Sequence, residues 1–259
     1  MRNIKNIFAY RELLYNLIKR QTKSRFKQSA LGIMWAVLKP AGTVMILTIV
    51  FSYFAKFPSE GIPYPLFSFA ALLPWTLFTS AVGAGVPSLV SNANLVTKVY
   101  FPREILPLSS IISASLDTLI SAVIFIGLLF FYKVGITLNV LYVIPVVVIE
   151  LVFSFGLVLL LAAANVWYRD VSYASGLLMQ FWMYLTPVIY PLSMVPDRFK
   201  KIYVLNPMVG IVEGFRSALL KGIMPDMSLL GVSAVIAIVT LIAGYAVFKS
   251  KEFDFADVI

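Results

Sequence analysis

Lys39, Asp117 and Glu150 fall inside long apolar runs, and an ionisable group at membrane depth marks a transport path or a proton relay by default. A proton-driven carrier needs such carboxylates in a relay, and the chain has no His to link them. Two scattered carboxylates therefore read first as structural pairs, with Asp117 facing protein and bonded to Ser or Thr of a neighbouring span. Glu150 sits mid-run, or nearer an interface if Pro145 marks where its helix starts. Lys39 lies near one end of its run, where its amine can snorkel and Pro40 can bend the helix. Other chemistry is excluded more firmly. With no Cys and no His, disulfides and most transition-metal sites are ruled out. No GxxxxGK[ST] loop is present, so the chain does not hydrolyse ATP by that route. No Ser or Lys sits in a recognisable catalytic pattern, and the chain does not read as an enzyme.

The elements that hold these residues follow from composition. Of 259 residues, 60% are hydrophobic and 13% charged, against about 45–50% and about 25% in soluble domains. A core of this size cannot hide so much apolar surface, and a bilayer can. Spans of about 20 apolar residues are expected over Gly32–Phe54, Pro65–Val90, Leu106–Tyr132, Leu138–Trp167, Val171–Tyr190 and Ser228–Phe248. The expected fold is an all-α membrane protein of six spans in one domain, residues 1–259. An even number of spans puts both ends on one side. Of the 21 Lys and Arg, 13 fall on that side, seven on the other, and Lys39 lies within the first span. The bias places both termini in the cytoplasm. The net charge of +9 is then a matter of orientation, and no nucleic-acid partner is expected. The first 30 residues also lack the apolar core of a signal peptide.

Three connecting regions carry structure of their own. In the amino-terminal tail, Tyr10, Leu13, Leu14, Leu17 and Ile18 fall on one helical face, with Arg11, Glu12, Asn16, Lys19 and Arg20 elsewhere. That pattern suits an amphipathic helix lying in the headgroup plane. Between the second and third spans, Asn92 or Asn94 can cap a short cytoplasmic helix ended by Pro102. Such a helix transmits force from a partner, or is an ordinary loop. In 191–227, Asn206-Pro207 reads as N-cap and first helical position, and Gly222 as the residue after the helix end. The apolar helix between them either dips into the membrane and returns or lies flat on the outer surface. Phe181, Trp182 and Tyr184 fall inside the fifth span beside Gln180, where they pack helices or line a glycan conduit.

The run from Arg11 to Pro40 resembles the opening of permease subunits of bacterial polysaccharide ABC exporters. Their pattern, K-x-R-[YF]-K-x-S-x-L-G-x-x-W-x-x-L-x-P, is matched by Lys23, Arg25, Phe26, Lys27, Ser29, Leu31, Gly32, Trp35, Leu38 and Pro40. The segments beginning at Asn92, Val166 and Leu205 resemble the same family, in the same order along the chain.

The resemblance implies export of lipid-linked O-antigen, capsular polysaccharide or teichoic acid across the inner membrane of a bacterium. It implies a homodimer working with two copies of a separate ATPase, which would hold the ATP and Mg; no cofactor is expected on this chain. By the same resemblance, Asn92, Asn94, Leu95, Lys98 and Tyr100 belong to a coupling helix on the ATPase, with Arg169 and Asp170 on the same face. The first and fifth spans would line a conduit, with Trp35, Phe181, Trp182 and Tyr184 on its wall. The segment after Pro207, with Glu213 and Arg216, would form an outer gate. Lys19, Arg20, Lys23, Arg25 and Lys27 would gather the anionic headgroup of a polyprenyl-pyrophosphate-linked glycan. A drug or lipid exporter of the same permease class and an ion-coupled secondary transporter are the alternatives.

Overall fold

A computed structural model describes residues 10–26 and 34–259 of the chain. The expectations for Lys27, Ser29, Leu31, Gly32 and the Arg25 side chain lie outside the described residues. Every regular element is helical, with no strand among the described residues. In order these are α1 (Arg11–Phe26), α2 (Trp35–Leu47), α3 (Tyr64–Gly85), α4 (Ala93–Lys98), α5 (Ile105–Phe131), α6 (Val143–Trp167) and α7 (Asp170–Tyr184). They continue as α8 (Asp197–Val204), α9 (Pro207–Arg216), α10 (Met227–Lys251) and α11 (Phe255–Val258).

Five helical stretches are long and apolar enough to cross a bilayer: Val37–Phe54, Tyr64–Gly85, Ile105–Phe131, Leu138–Trp167 and Met227–Val258. The fifth expected span, Val171–Tyr190, differs. Its helix α7 has 15 residues, or about 22 Å of rise, short of the roughly 30 Å of hydrocarbon. The chain then leaves helical geometry and continues as a buried stretch to Ile189, whose carbonyl meets the Tyr64 hydroxyl at the start of α3. In the fourth expected span, Leu138–Trp167, residues Leu138–Tyr142 form a 3-10 turn, and α6 begins at Val143 with Pro145 in its first turn, so that Pro145 marks the helix entry. There the missing N–H of Pro145 is no loss.

The central helix is α3, most of which is buried inside the bundle. The closest crossing is between α6 and α10. A Cβ added at Gly244 would lie 2.1 Å from the Gly156 carbonyl oxygen, and one at Gly156 would lie 2.5 Å from the Leu241 backbone. Glycine here permits backbone-to-backbone packing, the usual way helices associate where no hydrophobic effect separates lipid from protein.

A second apolar cluster closes one end of the bundle, which we call the platform. Leu17 of α1, Leu89, Val96 of α4, Phe101, Ile105, the end of α6 from Leu159 to Val166, Phe248 and Phe255 meet there. The apolar stripe of α1 is therefore taken up by protein. Leu17 is buried, Leu13 and Leu14 pack against the cluster, and Arg11, Glu12, Asn16, Lys19 and Arg20 face outward. Polar contacts fasten the same helix to α5: Gln21 Nε2 lies 3.2 Å from both Ser109 Oγ and Ser110 Oγ, and Thr22 Oγ1 lies 3.3 Å from Ser113 Oγ.

Candidate functional site

Trp35, Lys39 and Thr43 recur every four residues along α2 and so share one face. They open on a cavity of about 840 Å³ between α2, α3 and α5. Asp117, Thr118 and Ser121 of α5 line the same cavity, with Thr76, Ser80 and Gly83 of α3. Two of the ionisable residues singled out from the sequence thus share one cavity with Trp35. Lys39 is exposed and has no carboxylate within salt-bridge distance among the described residues. The hydroxyls of Thr43, Thr76 and Thr118 bond carbonyls one turn back on their own helices, which satisfies each hydroxyl without a partner from another helix. Glu150 is apart from this group. It is fully buried on α6, and neither carboxyl oxygen has a hydrogen-bond partner among the described residues.

On the other side of α3, Gly83 also lines a smaller cavity of about 300 Å³, bounded by Ser172, Ser175, Gly176, Met179, Gln180 and Met183 of α7. Gln180 therefore faces a cavity, whereas the three aromatics beside it diverge. Phe181 and Tyr184 point outward, 65% and 60% exposed. Trp182 points into the bundle against Phe78 and Phe153. Its indole N–H donates to Asn206 Oδ1 at 3.0 Å.

Asn206 explains how α7 ends. Its Oδ1 also accepts from the Met208 N–H at 3.1 Å, capping α9 with Pro207 at the first helical position, as expected. Its Nδ2 donates to the Leu185 carbonyl at 3.1 Å and to Thr186 Oγ1 at 2.9 Å. Each polar atom of this one amide is used twice. The rest of the non-helical stretch is satisfied in the same way. The Tyr64 hydroxyl donates to the Ile189 carbonyl at 2.8 Å, and the Arg216 guanidinium donates to the Val188 carbonyl at 2.8 Å and the Tyr190 carbonyl at 3.4 Å. Irregular backbone survives at membrane depth only where protein or a water-filled cavity meets its polar groups. Asn206, Tyr64 and Arg216 do that here, and we call Leu185–Tyr190 the elbow.

Arg216 is 1% exposed. Its charge is met by Glu213 one turn earlier at 2.8 Å and by the face of Phe67, 3.7 Å from guanidinium carbon to ring centre. Helix α9 is buried against α3, α6 and α10. It runs on through the turn Ser217–Lys221 to Gly222, whose φ of 63° is the left-handed end expected of that glycine. Glu60 Oε2 pairs with Lys221 at 2.7 Å and its Oε1 accepts from the Ser193 hydroxyl at 3.1 Å, while Asn139 Nδ2 donates to the Gly222 carbonyl at 2.6 Å. The hydrogen bond from Lys221 holds the Glu60 carboxyl below its ordinary range.

At the platform, Asn92 stands at the N-cap position of α4, but its side chain does not cap it. The amide donates to the Ser88 carbonyl, and its oxygen accepts from the Arg20 guanidinium, linking α1 to α4. Leu95 packs against the platform cluster, while Asn94 and Lys98 face outward and Tyr100 is 92% exposed. Arg169 and Asp170 lie exposed at the start of α7, where Asp170 complements the helix dipole. Lys23 is exposed, and the Lys19 amine sits 5.7 Å from the centre of the Tyr15 ring. Tyr64 and Thr186 were not foreseen. Nothing in their local sequence pairs them with residues this distant, although Asn206 was visible as a cap.

Apolar helices long enough to cross a bilayer, with cavities flanking a buried central helix, make this a helical bundle of the multi-pass membrane class. The chain belongs to the ABC-2 type transporter family, whose model matches residues 12–220. It is 32% identical to the O-antigen export system permease protein RfbA of Myxococcus xanthus over the full length of both chains. A Klebsiella pneumoniae protein of the same description is 27% identical over 96% of this chain and 95% of its own. The polysialic acid transport protein KpsM of Escherichia coli is 25% identical over 91% and 92%.

Proposed function

We propose that this chain is the membrane subunit of an ATP-driven exporter of lipid-linked polysaccharide, with O-antigen as the cargo class. The observation that carries this is end-to-end similarity to an O-antigen export permease, with no stretch of either chain left over. In this reading both termini are cytoplasmic, the residues 170–190 make the sixth crossing, and two copies enclose the conduit. Two copies of a separate ATPase, holding ATP and Mg, seat on α4 and the Arg169–Asp170 turn. The basic face of α1 and the residues after it, Lys19, Arg20, Lys23, Arg25 and Lys27, gather the anionic headgroup at about 1 kcal/mol per charge. Trp35, Phe181 and Tyr184 offer ring faces to a sliding sugar chain, and Trp182 holds the wall behind them through Asn206. Helix α9 is the re-entrant outer gate, with Glu213 and Arg216 as its fixed base.

The test is reconstitution of this chain in vesicles with the ATPase that co-purifies with it. Glycan should accumulate across the membrane only when ATP is supplied. Export that follows an ion gradient and ignores ATP would overturn the proposal and return attention to Asp117 and Glu150.

A further inference from the structure

After α10 the chain does not trail away. It turns through Glu252–Asp254 into α11, which packs on α4 and α6. Phe255 is fully buried, its ring 5.1 Å from Phe248 and 5.6 Å from Trp167. Beside this plug, Lys249 Nζ lies 2.9 Å from Glu104 Oε2 and 2.8 Å from Glu252 Oε2. Glu104 is itself 1% exposed. The backbone N–H of Arg103 donates to Glu252 Oε1 at 3.2 Å, and the Arg103 guanidinium donates to the Glu252 carbonyl. Arg103 and Glu104 belong to the stretch that joins α4 to α5. The tail thus grips α4 through the apolar cluster and grips its exit through ions.

Helix α4 needs such a grip. It has six residues, too few to be stable alone, and a lever that short cannot pass on force unless both sides are held. One side is held by the Arg20–Asn92 contact to α1. We propose that the C-terminal tail is the second hold: Phe255 and the Lys249–Glu252 pair fasten α4 and its exit to α10, so that a push on α4 moves the last span. Phe255, Lys249 and Glu252 are positioning residues that act through α4 and touch no cargo. This role rests on the proposed seating of an ATPase on α4.

The experiment uses the reconstituted complex with its ATPase and counts glycan exported per ATP hydrolysed. The variants are a chain ending at Lys251, Phe255→Ala, and the pair Lys249→Met and Lys249→Arg. The truncated chain and Phe255→Ala should hydrolyse ATP within about twofold of the parent while glycan per ATP falls at least about tenfold. Lys249→Arg should keep the parent ratio and Lys249→Met should lower it, a contrast that a purely structural role would not produce. Hydrogen exchange at residues 93–98 should quicken in the truncated chain. A parent complex without ATP-driven export defeats the exporter reading itself. A parent that exports, with an unchanged glycan-to-ATP ratio in Phe255→Ala, defeats the tail's role alone. If the truncated chain fails to assemble, the Lys249 pair decides, and equal ratios for Met and Arg overturn the proposal.

Discussion

The two ends of the bundle solve the same problem with different chemistry. At the elbow, buried Tyr64 and Arg216 and half-buried Asn206 bond directly to main-chain carbonyls; Arg216 serves several of them, and Asn206 joins the Leu185 carbonyl to Thr186, Trp182 and Met208. At the platform, an apolar cluster packs the elements together, and beside it Lys249 and Glu252 are partly exposed while Glu104 is buried. A carbonyl buried without a partner is costly, so the elbow has one permitted arrangement. An apolar contact has no direction, so the platform is held by close packing of its cluster instead. The elbow is thus fixed by directed bonds and the platform chiefly by packing.

The sharpest way to break this contrast is at Arg216. Arg216→Met strips donors from the Val188 and Tyr190 carbonyls and leaves Glu213 without its cation. It should cost about 3–5 kcal/mol, as removal of one partner of a buried pair does, and should be seen as loss of folded protein in detergent. Asn206→Ala removes the α9 cap and the Trp182, Leu185 and Thr186 contacts together, for about 2–4 kcal/mol. Thermal unfolding of the two variants should rank them in that order. Gly244→Ala tests the crossing shared by both ends. Overpacking against the Gly156 backbone should cost about 1–3 kcal/mol by the same measure. At the platform, Lys249→Met leaves the buried Glu104 carboxyl without its cation but removes no main-chain partner, and should cost about 2–3 kcal/mol; a loss as large as that of Arg216→Met would erase the distinction drawn between the ends.

The smallest effect sharpens the comparison by pH. Glu60 is held below its ordinary value of 4.5, chiefly by the hydrogen bond from Lys221. A depressed carboxyl contributes stability that is complete above its unfolded value and is lost as pH falls through its lowered native value. Because the pair is partly exposed, the loss should be at most about 1 kcal/mol. Melting of the parent should soften as pH falls below the ordinary carboxyl value of 4.5, and Glu60→Gln should remove that part of the slope.

Much of this was legible in the sequence wherever the signal was local. Asn206-Pro207 and Gly222 bounded α9 because caps and left-handed ends depend on neighbours in the chain. The apolar runs located five crossing helices for the same reason. The end of α7 was not legible. Apolar residues continue to Tyr190; Pro187 is a local stop, but the partners that satisfy the freed carbonyls come from Tyr64 and Arg216, far away in the sequence. The divergence of Phe181, Trp182 and Tyr184 was hidden too, since spacing on a helix does not say which face meets Asn206. Lys39 and Asp117 were each conspicuous, but only the packing of α2 against α5 puts them on one cavity. In the tail, Phe255 reads as one aromatic in a charged end, and its burial depends on a pocket built by α4 and α6.

The elbow also bears on the order in which the chain can enter a membrane. Arg216 is made 26 residues after Tyr190, whose carbonyl it serves, and Asn206 follows Leu185 by 21. Were residues 170–190 released into lipid as soon as they left the ribosome, those carbonyls would sit in hydrocarbon at several kcal/mol each. On the proposed sixth crossing, the stretch from Asp170 to Arg216 would therefore partition as a single unit, held in a wet or protein-lined place until translation has passed Arg216.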